Sequence, residues 1–361
     1  MDITVRKSSK YRIYPTKSQI TNMENQFSMC RHLYNWSLAE RKESYDYDRS
    51  SISYNQQQNQ LPLLKKERPW YKGVYSQVLQ DVLKRLDKGY KAFFRRVKTG
   101  DNPGFPKFKK HGQWNSLTYP QYSKSPGSNI QVPKVGTVKL VYHRAIPDNA
   151  KIKTLTITKD GGKWFACFSF ELLLEIEPKQ NVLPSIGIDL GLKDFLYTSD
   201  GASVPVPKYL RAKEKQLKRL QRRLSKAAKR SKKYYKILLA IQKCHYRIRC
   251  RRSDFLHKTA NNLLATSDAV FHEDLNIKNM IRKPEPKQNE DGTYIQNGAS
   301  AKAGLNKSIA DAGWGQFLSI LTYKAVETGK ILLAVPPHYT SQICSACGNM
   351  VKKSLSVRTH R

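Results

Sequence analysis

The segment from Lys208 to Arg252 constrains the fold of this chain more than any other part of it. It holds 19 Lys and Arg residues and one acidic residue, Glu214. Apolar residues within it recur at helical spacing, which predicts two basic helices joined near Ser231 that share a narrow apolar seam. Like charges four residues apart repel each other on a helix. This hairpin therefore predicts a polyanionic partner.

The charge of the whole chain indicates the same class of partner. Its 361 residues include 65 Lys and Arg against 28 Asp and Glu, a formal net charge of +37. Such an excess is typical of proteins that bind nucleic acid. A polybasic protein of the membrane surface is the alternative, but the sequence has no long apolar run, signal-type N-terminus or lipidation motif. We expect no membrane partner and a cytoplasmic, nucleoid-associated location.

The first half of the chain predicts a small antiparallel barrel that carries a helical insert. Alternating, β-like runs separated by turn residues predict strands in residues 1–15 and 100–180, which we assign to the barrel. Residues 16–99 predict two long amphipathic helices, the first of them capped by Thr16. The polar, Gln/Asn-rich stretch Ser51–Gln60 is interpreted as a loop.

The second half, residues 181–361, predicts an α/β domain interrupted by the basic hairpin, whose bounds we place at residues 208–266. Short apolar strands alternate there with helical patterns, which is typical of a sheet covered by helices. Arg282 to Ala303 is polar and is expected to be mobile. Ser308–Asp311 has a capping pattern that predicts the start of an amphipathic helix.

Two acidic residues end apolar strands of this domain. Asp189 follows Ile188 in a strand interpreted as buried, where a carboxylate is costly unless it is hydrogen-bonded or bound to a cation. Glu273 ends a second such strand. The turn after each strand could satisfy the carboxylate, and each residue alone could be a simple strand-end acid.

Two chemical interpretations of the Gly187–Gly191 motif compete. The phosphate loop of actin-type and heat-shock-type ATPases has a similar sequence, but this chain lacks the Thr or Ser and the second glycine motif that such ATPases use. Carboxylates on neighbouring strands can instead bridge divalent metal ions, which activate water and stabilise the leaving oxygen in phosphodiester cleavage. Asp189 and Glu273 together favour this ribonuclease-H-like interpretation.

Cys344 and Cys347 have the spacing of half a zinc knuckle. Structural zinc takes four ligands, and the chain has no second pair of cysteines at this spacing. His338 and His360 are a weak alternative as the remaining ligands. The other cysteines are scattered, as is typical of thiols in a reducing compartment.

Several motifs, in the same order, resemble the TnpB (OrfB-type) proteins of bacterial insertion sequences, which are RNA-guided nucleases related to compact type V CRISPR effectors. The resemblance covers essentially the whole chain. The motifs that carry it are Tyr11–Thr16, Arg31–Asn35, Gly104–Lys109, Gly187–Gly191, Asp311–Gly315 and Tyr339–Gln342, which leads into Cys344 and Cys347.

The resemblance implies a fold and a set of partners. The expected fold is α/β plus a β-barrel: a wedge-type barrel with a helical recognition insert, then a ribonuclease-H-like (RuvC) nuclease domain that includes a partial zinc module at residues 338–361. A guide RNA derived from the transposon end would pair with double-stranded target DNA, while the protein contacts backbones. Asp189 and Glu273 would hold Mg²⁺ or Mn²⁺, and Cys344 and Cys347 would hold Zn²⁺. A homodimer is left open.

The expected nucleic-acid contacts lie in two helical regions. In the insert, Gln77 and Gln80 could pair with adenine edges beside the target, although for each one alone a plain exposed helix residue is the favoured alternative. In the basic hairpin, the residues expected to contact nucleic acid are Lys218, Arg222, Arg223, Arg251 and Arg252.

The sequence departs from the family pattern at its end. The family's third catalytic Asp and second cysteine pair would follow the segment that ends at Arg361, so we expect a C-terminal truncation. The leading hypothesis is an RNA-guided, divalent-metal-dependent DNA endonuclease. The alternative is an RNA-guided DNA-binding protein whose cleavage is impaired or lost, and a basic RNA chaperone is a third possibility.

Overall fold

The computed structural model describes residues 2–176, 183–338, 342–343 and 347–350. The chain divides into two compact units at residues 174 and 175, which we call the N-terminal unit and the C-terminal unit. Among the described residues, no helix has the length and apolar character needed to cross a lipid bilayer.

The N-terminal unit begins with one strand and three α-helices. They are β1 Asp2–Tyr14, α1 Lys17–Asp48, α2 Tyr54–Glu67 and, after a 3-10 turn at Pro69–Gly73, α3 Ser76–Lys98. Helix α1 begins where the sequence predicts, because Oγ1 of Thr16 accepts a hydrogen bond from the backbone N–H of Gln19 (3.3 Å). Gln19 Oε1 accepts one from the N–H of Thr16 in return (3.0 Å), which completes a capping box.

The prediction of a loop at Ser51–Gln60 is wrong, because helix α2 begins within this stretch. Ser53 and Gln56 form a second capping box, in which Gln56 Oε1 accepts a hydrogen bond from the N–H of Ser53 (2.7 Å). Leu61 and Leu64, farther along the helix, are buried. The apolar residues that hold this helix in place thus follow the polar stretch, so local composition hid the helix.

Replacing Ser53 with Ala should lower the free energy of unfolding of the N-terminal unit by about 1 kcal/mol, because one capping acceptor is lost. Urea unfolding followed by circular dichroism measures this change. Ser51→Ala is the matched control, since Ser51 is exposed and lies outside the capping box. Equal stabilities of the two variants would contradict the cap assignment.

The strands of the N-terminal unit form one sheet against these helices. With β1, the strands β2 Ser116–Tyr119, β3 Asn129–Val132, β4 Gly136–Val141, β5 Lys151–Asp160 and β6 Lys163–Glu175 form a six-stranded sheet in the order β2-β5-β6-β1-β4-β3. Its hydrogen-bonded order ends at β2 and β3, so the expected barrel is a curled half-barrel sheet. Tyr11 and Ile13 of β1 are fully buried, and the helices and the sheet share one hydrophobic core.

The C-terminal unit is a five-stranded sheet with helices. Its elements are β7 Ser185–Leu190, β8 Asp194–Thr198, β9 Ser203–Pro205, α4 Tyr209–Ser225, α5 Lys232–Thr266, β10 Ala269–Glu273, α6 Ile277–Met280, β11 Lys287–Gln288, β12 Tyr294–Ile295, α7 Ala299–Ala312, α8 Trp314–Glu327 and β13 Ile331–Val335. The sheet order is β13-β10-β7-β8-β9. Strands β7, β8 and β9 are antiparallel, whereas β10 runs parallel to both β7 and β13.

The prediction that a helix starts at Ser308–Asp311 is wrong. Helix α7 begins at Ala299 and ends just before Gly313, which has a φ of +78° and separates it from helix α8. A glycine in this left-handed conformation ends a helix at little cost. The polar segment at residues 282–303 contains the antiparallel pair β11 and β12, and its mobility stays a prediction.

Candidate active site and nucleic-acid interface

Asp189 lies on the open face of strand β7. The side chains of β7 alternate, so that Ile186, Ile188 and Leu190 are buried and join the core of the C-terminal unit, whereas Asp189 is exposed. The sequence-based view of a carboxylate in a buried strand is therefore wrong. Only one face of this strand is covered, and water or a ligand can solvate the carboxylate on the other.

Strand pairing places Glu273 beside Asp189. Strands β7 and β10 are parallel neighbours, with Val270 opposite Ile186 and His272 opposite Ile188. The next position along each strand is Glu273 on β10 and Asp189 on β7. Neighbouring strands lie about 4.8 Å apart, and register partners in a parallel pair project to the same face. The two strand-terminal acids predicted from the sequence thus meet at one edge of the sheet.

The turn after Asp189 requires a glycine. A Cβ atom at Gly191 would lie 2.7 Å from the carbonyl oxygen of Asp194, closer than such contacts allow. The N–H of Gly191 donates a hydrogen bond to the carbonyl of Phe195 (3.2 Å). This close approach folds the chain sharply from β7 into β8 and leaves Asp189 at the rim of the sheet.

Asp189 and Glu273 are residues that could hold a divalent metal ion. Mg²⁺ prefers carboxylate oxygens and usually keeps several waters, so two protein carboxylates at an accessible sheet edge suit it. Within the described part of the chain, no three His, Cys, Asp or Glu side chains are grouped to hold a metal. The described donor set is therefore Asp189, which is exposed, and Glu273, which is half-buried.

Helices α4 and α5 form the predicted basic hairpin, with its turn at Ser231. Oγ of Ser231 accepts a hydrogen bond from the N–H of Tyr234 (3.1 Å) and caps α5. The apolar seam between the helices is narrow and contains Leu217, Cys244 and Ile248. Most Lys and Arg side chains therefore remain at the surface, including Lys218, Arg222, Arg223 and Arg251 of the predicted contact set.

One side of helix α4 is a continuous cationic surface. The bases that line a shallow hollow there are Lys215, Lys218, Arg219, Arg222, Arg223 and Lys226. Successive bases on one face of a helix can contact successive phosphates of a nucleic-acid backbone and release the bound counterions. This surface can therefore bind nucleic acid without reading its sequence.

Glu214, the single acid between Lys208 and Arg252, is already neutralised by bases of its own unit. Hydrogen bonds from Lys307 of helix α7 and from Lys218 (3.2 Å) lower the pKa of Glu214 to about 2. At neutral pH the ionised carboxylate of Glu214 is therefore paired with these two lysines. The cationic surface of α4 keeps its excess of positive charge.

Asp311 anchors the base of the hairpin, a role that the sequence did not predict. Its carboxylate accepts hydrogen bonds from the backbone N–H groups of Leu210 (3.0 Å) and Arg211 (3.2 Å), the first turn of helix α4. It also pairs with the guanidinium of Arg252 on helix α5 (2.8 Å). An anion at a helix N-terminus accepts hydrogen bonds from the free N–H groups there and interacts favourably with the positive end of the helix dipole. Asp311, with a side chain only 3% exposed, thus fixes both helices at once.

The contacts of Asp311 correct two expectations. Asp311 lies near the end of helix α7 and caps α4, whereas the sequence predicted a cap of its own helix. Arg252 is held in an ion pair with a buried carboxylate, which gives it a structural partner, and its role as a nucleic-acid contact stays a prediction. No local sequence signal could have revealed this role, because only the fold brings Asp311 to a helix that begins about a hundred residues earlier in the chain.

The two glutamines predicted to read bases lie on helix α3 and are half-buried. Nε2 of Gln77 donates a hydrogen bond to Oε1 of Gln121 (2.5 Å). Gln77 must therefore exchange one hydrogen bond for another to contact a base. Base reading by Gln77 and Gln80 stays a prediction.

The candidate zinc module is described only in part. Cys344 lies outside the described residues, whereas Cys347 is exposed. Ile343 and Met350 form an antiparallel bridge that brackets the two cysteines. Gly348, which follows Cys347, has a φ of +72°, a conformation typical of glycine in a tight turn.

Comparison with known proteins identifies the family. The family profile OrfB_IS605, described as "Probable transposase", matches residues 168–283. A related helix-turn-helix profile, HTH_OrfB_IS605, matches residues 1–49, which form β1 and α1 here. A profile for the TNB domain of Cas12f1-like proteins matches residues 314–361.

Individual proteins are similar over nearly the whole chain. The chain is 33% identical to "Putative RNA-guided DNA endonuclease InsQ" of Escherichia coli (strain K12), over 96% of this chain and 84% of the relative. It is 29% identical to a "Putative RNA-guided DNA endonuclease" of Streptomyces pristinaespiralis, over 98% of this chain and 84% of that protein. A cryo-EM structure of a Cas12f1–sgRNA–target DNA complex matches 96% of this chain and 89% of its own, at 14% identity and a TM-score of 0.30, which is too low to support a conclusion. The chain belongs to the TnpB (OrfB, IS605-type) family of insertion-sequence proteins.

Proposed function

We propose that this protein is an RNA-guided, divalent-metal-dependent DNA endonuclease of transposon origin. The observation that carries the proposal is the placement of Asp189 and Glu273 at the same level of two adjacent parallel strands. The names of its relatives in Escherichia coli and Streptomyces pristinaespiralis support the same activity. The cationic surface of helix α4 supports a nucleic-acid substrate.

The topology of the C-terminal unit supports a ribonuclease-H-like (RuvC) nuclease fold. Its first three strands form an antiparallel meander, and the later strands β10 and β13 add in parallel beyond the first strand. In this arrangement the first and fourth strands of the domain lie next to each other. Acids at their ends therefore converge, although the hairpin of helices α4 and α5 separates them in sequence.

The two carboxylates would hold Mg²⁺ or Mn²⁺. When bound, such ions activate a water molecule and stabilise the leaving oxygen of a phosphodiester. The chain itself positions the carboxylates. The open face of the sheet leaves Asp189 accessible, and the sharp turn at Gly191 follows it directly. The bases of helix α4 would hold the phosphate backbone by charge, while guide RNA pairing supplies sequence recognition.

The proposal is tested by reconstitution from the RNA that the protein carries. The full chain is expressed together with its flanking insertion-sequence DNA, and the RNA that co-purifies is sequenced. We expect that RNA to derive from the transposon end. A plasmid that matches its guide portion should then be cut in Mg²⁺ and remain intact in EDTA. Cleavage that ignores the RNA sequence would contradict the proposal.

A second function, RNA-guided DNA binding without cleavage, is favoured by one observation. Among the described residues, Asp189 and Glu273 lie on adjacent strands, and no group of three or more His, Cys, Asp or Glu side chains could hold a metal ion. The same reconstitution separates the two functions, because a binder would retard the matched plasmid in a gel without cutting it. A homodimer would appear as twice the chain mass in light scattering of the complex.

Zinc binding by Cys344 and Cys347 is proposed as a separate structural feature. The bridge between Ile343 and Met350 brackets the two cysteines as a knuckle would. Structural zinc usually takes four ligands. Zinc released from the purified chain by a mercurial reagent would support the site, and a zinc-free chain of equal stability would contradict it.

Neutralising three bases of helix α4 should weaken nucleic-acid binding in a salt-dependent way. In the variant K218Q/R222Q/R223Q, the slope of log Kobs against log [salt] should fall by about 2 to 3, because each lost phosphate contact removes 0.7 to 0.9. Fluorescence anisotropy at several salt concentrations measures the slope. The charge-retaining variant K218R/R222K/R223K is the matched control and should keep it. An unchanged slope in the glutamine variant would place the backbone contacts elsewhere.

A further inference from the structure

Four aromatic rings meet at the end of helix α3. Phe93 packs against Phe94 and against Phe105, with ring centroids 5.2 Å apart in both pairs. Tyr90 lies 5.4 Å from Phe105 and 6.3 Å from Phe94. We call these four residues the aromatic ledge. Phe94 is 61% exposed and Phe105 is 40% exposed, so the ledge presents apolar ring surface to solvent, which is typical of a binding surface.

The loop that supplies Phe105 is held in place. Asn35 of helix α1 clamps the backbone of Lys109: its Nδ2 donates to the carbonyl (2.9 Å) and its Oδ1 accepts from the N–H (2.7 Å). Gly104, with a φ of +51°, provides a bend that other residues rarely adopt. Pro106 packs over Gly89 of helix α3: a Cβ atom added to Gly89 would lie 3.6 Å from Cγ of Pro106. Since the loop is fixed beforehand, binding there loses little conformational entropy.

The surroundings of the ledge are strongly basic. Between Lys88 and Lys110 the chain has eight Lys and Arg residues and one acid, Asp101. Arg95, Arg96 and Lys98 at the end of α3 are all exposed. Apolar rings among so many cations do not suit another protein's apolar core, because those cations would be desolvated. They suit a polyanion that also carries flat apolar faces.

Unpaired nucleotides have this chemistry. Their bases stack on aromatic side chains, and neighbouring cations bind their phosphates. In a guide-directed complex one DNA strand pairs with the guide and the other becomes unpaired only once DNA is bound, whereas the RNA already exposes unstacked bases in loops and bulges, where aromatic residues commonly bind them. We propose that the aromatic ledge is a stacking site for unpaired nucleotides of the RNA, an inference that rests on the proposed function for the RNA's presence.

The test removes the rings and keeps every charge. In the variant F94L/F105L, affinity for a 20-nucleotide oligouridylate should fall by at least about tenfold. Affinity for a 20-base-pair RNA duplex should change less than about twofold, and the salt slope should stay the same, because the phosphate contacts remain. Y47L is the matched control, since Tyr47 is an aromatic residue of helix α1 that is 93% exposed. Unchanged binding of the single strand, or equal losses for both probes, would overturn the inference.

Crosslinking identifies the nucleic acid at the ledge. The full chain with its co-purified RNA and matched DNA is irradiated with ultraviolet light, digested and analysed by mass spectrometry. Peptides that contain Phe94 or Phe105 should carry ribonucleotide adducts. Deoxyribonucleotide adducts alone, or no adducts, would refute the assignment to RNA.

The inference and the proposed function fail in different ways. A chain whose RNA binding depends on Phe94 and Phe105 but which cuts no DNA would refute the nuclease and keep the stacking site. A chain that cuts guided DNA while the F94L/F105L variant binds oligouridylate normally would refute the stacking site alone. Thermal melting of the variant confirms that it is folded, and the single variant F94L is used if the double variant melts early.

Discussion

Replacing Asp189 with Ala should reduce the rate of guided DNA cleavage by at least about 10³-fold. A carboxylate that holds the metal contributes several kcal/mol of transition-state stabilisation, and each 1.36 kcal/mol changes the rate about tenfold. Asp189 is exposed on strand β7, so its removal leaves no cavity and should not unfold the domain. Single-turnover cleavage of a matched plasmid measures the effect. Guide RNA and target affinity should stay within about twofold, since backbone contacts supply most of that binding energy.

Companion variants separate charge from shape at the same edge of the sheet. E273Q keeps the size of the side chain and removes its charge, so it should lose cleavage as D189A does. D254N is the matched control, because Asp254 is an exposed acid of helix α5 that pairs with Lys258 on the surface. Its cleavage rate should be that of the native chain. Normal cutting by D189A or E273Q would exclude the carboxylate pair as the catalytic centre.

Replacing Asp311 with Ala should destabilise the C-terminal unit by about 3 to 5 kcal/mol, the usual cost of breaking a buried ion pair from one side. The change leaves the half-buried guanidinium of Arg252 without its partner and uncovers two N–H groups of helix α4. Urea unfolding of the native chain and the variant measures the difference. Hydrogen exchange adds a local test, because the amides of Leu210 and Arg211 should lose protection first.

Two further variants show whether the anchor acts through charge. D311N keeps an oxygen that can accept from one N–H of helix α4 but cannot pair with Arg252 as an anion, so its loss should be smaller than that of D311A. R252M removes the charge and keeps an unbranched apolar stem. If the double variant D311N/R252M is more stable than D311N alone, the unpaired guanidinium is the main cost. Full protection of Leu210 and Arg211 in D311A would contradict the anchor.

Sequence patterns predicted those parts of the fold that depend on local spacing. Thr16 caps helix α1 as predicted. The break predicted near Ser231 coincides with the start of helix α5, and Ser231 proves to be its cap. The strands that end at Asp189 and Glu273 were also predicted, because apolar runs bounded by turns have a recognisable length. The metal-site interpretation required these two strands to be neighbours, and the structure pairs β7 with β10.

Features that depend on distant contacts could not be predicted in this way. The exposure of Asp189 reflects which face of strand β7 the helices cover, and alternation along β7 is weakened by Gly187, which has no side chain. Helix α2 was hidden because its capping residues lie in a Gln/Asn-rich stretch. The role of Asp311 depends on a hydrogen bond across 101 residues of sequence, and no local pattern records it.

The long sequence separation between Asp311 and the helix that it caps has a consequence during synthesis. At about 5 to 20 residues per second, the first turn of helix α4 is made roughly 5 to 20 s before Asp311, which lies 101 residues later in the chain. Until Asp311 is made, the positively charged residues of the hairpin are near ribosomal RNA, and helix α4 is not yet anchored at its first turn. If RNA binds the newly made hairpin before Asp311 anchors helix α4, then RNA binding occurs during translation of the protein.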